Sequence, residues 1–141
     1  MKRQSGFTFI EIMIVMVIIG ILATLVVPKL LSRPDQARLL KAKQDILTIE
    51  NALALYELDN GFYPSTEQGL EALIHEPTTE PLPSHWQRGG YLSALPKDPW
   101  GNNYSYKQDS QNEQPITVYS LGADGKSGGE GINADIYHGT L

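Results

Sequence analysis

The sequence predicts an α+β protein: one long N-terminal helix whose second half packs on a small antiparallel sheet. Three observations lead there. An apolar run fills Phe7 to Val27, interrupted by one acid, Glu11. An apolar stripe follows at Leu39, Ala42, Ile46, Ile49, Leu53 and Tyr56, with the alternating three- and four-residue spacing of a helix face. Short β-rich segments between turn residues occupy the last third of the chain.

The apolar run comes first. A bilayer takes about 20 apolar residues to cross, so residues 7–34 read as a transmembrane segment and its exit. Lys2 and Arg3 precede the run with no acid beside them. Basic flanks stay cytoplasmic, which places residues 35–141 as a globular domain on the far side. The run ends Ala23-Thr24-Leu25-Val26-Val27-Pro28-Lys29, without the Ala-x-Ala pattern of a secretory cleavage site. The processing point therefore lies ahead of it, after Gly6, where glycine leaves the backbone unhindered. Residues 1–6 become a removable leader.

Glu11 then stands out. A charge inside a membrane span costs roughly 2.5–3.5 kcal/mol on insertion scales, so it needs a partner. Cleavage after Gly6 creates an amine on Phe7, four residues away. Within one helix that amine and Glu11 are poorly placed to pair. Between subunits, the amine of one chain can meet the Glu11 carboxylate of the next, where low dielectric makes pairing count. A plain signal anchor with an incidental acid is the weaker reading.

Gly6, Phe7, Thr8 and Glu11 ahead of an apolar helix resemble the type III signal of type IV pilins and pseudopilins, with Phe9 where leucine is usual. The resemblance implies a prepilin peptidase that cuts after Gly6 and methylates Phe7. It also implies a pilin-like fold.

Composition narrows the rest. The 141 residues hold a membrane segment and one small domain. Seven Lys/Arg face two acids through Lys43, and four face fourteen acids after it, which yields the net charge of -5. An acidic domain argues against nucleic-acid binding. The basic patch beside the membrane suits lipid phosphates or acids of neighbouring subunits. No cysteine is present, so disulfides, thiol catalysis and cysteine metal sites are excluded. Oligomerisation or a bound metal is left to reinforce so small a domain.

Prolines at 28 and 34 predict a helix from about Thr8 that weakens between Gly20 and Pro34 and resumes to about Leu58. Asp35 is placed to cap the second half. Asp59-Asn60-Gly61 stops it, with Gly61 as a left-handed terminator. Ser65-x-x-Gln68 has capping-box spacing and predicts a short helix over Glu67–Ile74. Pro77, Pro81, Pro83, Pro96 and Pro99 mark His75–Pro99 as an ordered loop. Strands are expected at Tyr104–Tyr106, Ile116–Leu121 and Ala134–Tyr137, with Lys107–Pro115 as a polar turn.

The loop after the second strand, Leu121 to Asp135, holds three acids and five glycines. Carboxylates and converging carbonyls supply the hard oxygens that calcium takes in sets of six to eight. Asp124 and Asp135 stand like the ends of an EF-hand loop, but Lys126 and Gly128 occupy interior acid positions, so it is not one. Composition alone fits a solvated loop equally well. Resemblance shifts the balance. Tyr63 to Leu73, Asp98 to Asn102 and Ser120 to Gly125 look like the major pseudopilins of the bacterial type II secretion system. With the N-terminal signal, the likeness covers most of the chain. It implies calcium in this loop, held by the Asp124 and Asp135 side chains and the Leu121 and Lys126 carbonyls, with Ser127 and Glu130 as further donors. Calcium would fasten the C-terminal loop onto the sheet.

Enzyme readings find little support. His75, His85 and His138 lie in separate loops without metal-ligand spacing, and no nucleophile elbow or phosphate loop is present. Trp100 suits a packing anchor. The chain reads as a non-enzymatic structural subunit. The resemblance implies assembly with copies of itself and minor pseudopilins into a helical periplasmic pseudopilus that exports folded proteins. An inner-membrane platform and its ATPase would drive assembly, with Phe7, Glu11 and Pro28 as assembly residues. The alternatives are a type IV pilus major or minor pilin, which usually carries a disulfide loop, and a membrane-anchored calcium-dependent binding module.

Overall fold

The computed structural model describes residues 6–109, 111 and 115–138, without the side chains of residues 23–32. The leader ahead of Gly6 and the side chain of Pro28 lie outside the described residues. Two compact units divide between Ala37 and Arg38.

Helix α1 covers Phe9–Asn60. It runs through Pro34 without the expected break, and Asp35 lies inside it and starts no second helix. A proline removes the single i→i−4 hydrogen bond that its own N–H would donate, and the neighbouring turns can carry the helix past it. In the first unit, Phe7 to Leu22 are exposed on every side of the helix. Among the described residues no helix is long and apolar enough to cross a membrane. The expected span reaches Val27, and its side chains after Leu22 are outside that description.

In the second unit the stripe is core. Ala42, Ile46, Ile49, Leu53 and Tyr56 are fully buried, Ala52 nearly so, and Leu39 packs at the margin. Lys41, Gln44, Thr48 and Asn51 face out. Gly61 ends α1 with φ of 79°, and its N–H donates to Glu57 O at 2.7 Å, the left-handed helix end that only glycine adopts without strain.

The sheet is three antiparallel strands in the order β1 (Ser105–Gln108), β2 (Ile116–Ser120) and β3 (Ile136–Tyr137). Tyr106 pairs with Val118, and Ser120 with Ile136. Strand β1 reaches two residues into the expected polar turn, because Lys107 and Gln108 pair with Thr117 and Ile116. Their side chains are polar, which hid the strand, but pairing is a backbone property. Tyr106, Val118 and Ile136 join the helix stripe in one core.

The expected helix over Glu67–Ile74 is a shorter 3-10 turn, Leu70–Leu73. Its capping box is formed: Gln68 N–H donates to Ser65 Oγ at 3.1 Å, and Ser65 N–H to Gln68 Oε1 at 3.0 Å. The proline-rich loop is ordered by few bonds. Gln68 Nε2 donates to Thr79 O and Pro81 O, Trp86 Nε1 to Ala72 O, and the Tyr91 hydroxyl to Asp59. Gly90 has φ of 82°, and a Cβ there would stand 2.8 Å from Leu73 O, so the chain doubles back only with glycine.

Candidate functional site

Two regions carry the chemistry, one in each compact unit.

In the first, Thr8 precedes α1 and Glu11 lies in its first turn. Thr8 N–H donates to Glu11 Oε2 at 3.4 Å, and Glu11 N–H donates to Thr8 Oγ1 at 3.4 Å. This is a reciprocal capping box. It satisfies backbone donors that a helix start leaves open and sets an acid at the positive end of the helix dipole. Besides the neighbour's amine expected from the sequence, Glu11 thus has a partner within its own chain. The Thr8-x-x-Glu11 spacing was the available signal for this one. Phe7, Ile12, Val15, Met16 and Ile19 line a shallow apolar face with Glu11 at its edge.

In the second, the loop from Leu121 to Asp135 is folded on itself. Ala123 N–H donates to Ile132 O at 2.9 Å. Gly122 is buried with φ of 69°, and a Cβ there would meet Asn133 and Ala134 backbone at 2.8 Å. Asp135 lies at the centre of the polar contacts. Its Oδ2 accepts from Gly128 N–H at 3.1 Å and from the Ser127 and Tyr137 hydroxyls at 3.4 Å. Its Oδ1 is buried with no hydrogen-bond partner. An unpartnered buried acceptor costs about 1–3 kcal/mol, which is the condition a cation would relieve. Burial, with the nearby Asp135 charge, raises the Tyr137 hydroxyl pKa, so that hydroxyl stays a donor.

Asp124 is exposed, and its Oδ1 accepts from Lys126 N–H at 3.1 Å. Ser127 is brought to Asp135, and Glu130 is exposed. Leu121 is half-buried and Lys126 exposed. Among the described residues no group of three or more His, Asp or Glu side chains gathers as a metal cluster. Asp124 and Asp135 share no hydrogen-bond donor among the described residues; the ligand atoms this loop offers are carboxylate, hydroxyl and backbone oxygens, which suit calcium rather than a transition metal.

Beneath the loop lies a carboxylate that sequence reading did not single out. Asp98 is buried, accepts from Ser120 Oγ at 2.7 Å, and also from Asn102 N–H at 2.8 Å and Trp100 N–H at 3.1 Å. Ser120 Oγ in turn accepts from Gly122 N–H at 3.2 Å. His138 Nδ1 contacts Glu50 Oε2 of α1. His75 and His85 are exposed.

A capped apolar N-terminal helix with a small three-stranded head defines a pilin-like subunit. The family model for the prokaryotic N-terminal methylation motif matches residues 1–27, and that for type II secretion system (T2SS), protein G, matches residues 29–139. The chain belongs to the type II secretion system protein G family. It is 58% identical over 135 residues to type II secretion system core protein G of Pseudomonas aeruginosa, covering 96% of this chain and 94% of that one. The protein of the same name from Vibrio cholerae is 53% identical, with 96% and 92% covered. The crystal structure of the major pseudopilin from the type 2 secretion system of enterohaemorrhagic Escherichia coli superposes with a TM-score of 0.71 at 40% identity, covering 82% of this chain and 98% of that one.

Proposed function

We propose that this chain is the precursor of the main structural subunit of a type II secretion pseudopilus. The observation that carries it is the first unit: Phe7 to Leu22 expose apolar side chains around the whole helix. Such a surface is solvated by lipid in the monomer and must be covered by other subunits once it leaves the membrane. Head-to-tail packing does not close on itself and gives a helical fibre. Prepilin peptidase trims the chain after Gly6 and methylates Phe7. The segment over residues 7–34 anchors it in the inner membrane with the head in the periplasm. Copies of the chain polymerise with minor pseudopilins on an assembly platform worked by an ATPase, and the chain itself does no catalysis.

Glu11→Gln is expected to insert and be cleaved normally yet fail to polymerise, read by filament electron microscopy beside a processing blot. Filaments of normal abundance would refute the assembly role. Deleting the gene is expected to block secretion while leaving surface pili intact. Lost pili with normal secretion would favour a type IV pilin.

Calcium belongs to the same proposal. Asp124, Asp135, the Leu121 and Lys126 carbonyls and Ser127, with Glu130 within reach of the loop, would hold it. It would supply positive charge to the buried Asp135 oxygen and tie the C-terminal loop to the sheet. A ligand at a hundredfold excess over its Kd stabilises a fold by about 2.7 kcal/mol. Chelation should therefore lower the melting temperature of the protein by several degrees, and Asp124→Ala should remove the difference. Superimposable melting curves in calcium and in chelator would sink this part.

A further inference from the structure

Strand β3 is only Ile136–Tyr137, yet it is held at both ends. On its N-terminal side Asp135 accepts the Tyr137 hydroxyl at 3.4 Å and keeps a buried oxygen free. On its C-terminal side His138 Nδ1 is paired with Glu50 Oε2. Between them the strand is fixed to β2 by the Tyr119–Tyr137 and Ser120–Ile136 pairs, with the Tyr119 and Tyr137 rings stacked at 5.2 Å. Two residues of strand give few ladder bonds, so the position of Asp135 depends on what secures His138.

We infer that Glu50 and His138 are positioning residues for the calcium loop: the pair ties β3 to α1 and thereby holds Asp135 where its free oxygen can meet the ion. The inference rests on the calcium reading above. The pair touches no ligand of the ion and acts through the two residues of β3. Its geometry explains why a helix residue in mid-chain and a histidine at the end of the last strand meet at all. They also line a cleft of about 350 Å³ together with Tyr63, Thr117, Val118 and Tyr137. Coupling is reciprocal by linkage: an ion that fixes Asp135 also fixes His138 against α1.

The size of the effect follows from exposure. The His138 side chain is 58% exposed and that of Glu50 21%, so the pair is a modest tether screened by solvent. His138→Ala in the full chain, held in detergent micelles, is expected to weaken calcium binding by about two- to fivefold in calorimetric titration. Glu50→Ala should do the same, and the double variant should be no worse than either single one. His138→Asn keeps a donor near the Nδ1 position and should recover most of the affinity. In the NMR spectrum, calcium should shift the His138 ring protons of the wild type and leave those of Asp135→Asn unmoved. Equal affinity across the wild type and both alanine variants overturns the inference and leaves the calcium site standing. Weaker binding that His138→Asn does not recover overturns it too, since the loss is then general loosening. No calcium uptake by the wild type overturns this inference and the calcium reading together.

Discussion

Asp98 is a buried carboxylate on which backbone and side-chain donors converge. It is 4% exposed, and three donors reach it: the Ser120 hydroxyl and the N–H groups of Trp100 and Asn102. A carboxylate with several donors is stable when buried; the same donors without it are left unsatisfied in a low-dielectric site. Asp98→Ala is expected to destabilise the head by about 2–4 kcal/mol, measured by urea unfolding of the full chain in micelles. A loss under 1 kcal/mol would show that water replaces the carboxylate without cost. This role was not legible in the sequence. Asp98 and Ser120 are far apart in the chain, and nothing in the spacing of Asp-Pro-Trp-Gly-Asn says that a strand serine will come to meet it. Glu11 is the converse case: its cost in an apolar run was legible from residue type alone, while its bond to Thr8 needed the capping-box spacing to be read at a second place.

Among the elements, the stripe of α1 was the most legible, because 3.6-residue periodicity is a property of one local segment. Of its six expected positions five are buried, Leu39 lies at the margin of the core, and Ala52 is added. Strand edges were less legible. Lys107 and Gln108 have turn-like chemistry, and their pairing with β2 is set by register rather than by their own side chains. The weakening expected between Gly20 and Pro34 does not divide α1, which is one helix from Phe9 to Asn60, close to the expected ends. The loop from His75 to Pro99 was legible as a loop from its prolines, but its anchors were not. Gln68 is the clearest of them: its side chain accepts from Ser65 and donates to Thr79 and Pro81. Gln68→Ala should cost about 1–2 kcal/mol and raise hydrogen exchange selectively between residues 76 and 84. Uniform exchange across the head would mean that the loop is held elsewhere.

For the whole molecule, the tyrosines give a pH signature. Burial, with Tyr91 nearby, pushes the Tyr56 hydroxyl up to about 12 from 10.0. Burial also raises Tyr104, which donates to Asp45, and Tyr106, which donates to Pro64 O. These groups favour the neutral form in the fold. For Tyr56 that contribution to stability is complete below the unfolded value near 10 and is lost as pH climbs through about 12, while Tyr104 and Tyr106 are raised further. Tyrosinate absorbance should lag behind that of free tyrosine between pH 10 and 12, then rise together with the loss of helical circular dichroism. Full ionisation with the helix intact would contradict the packing. The last consequence belongs to Thr8 and Glu11. Because the acid is already hydrogen-bonded within its own chain, an idle subunit has no urgent need of company. If the chain assembles as proposed, a joining subunit must exchange this internal bond for one to its neighbour, which would favour partners that arrive in register.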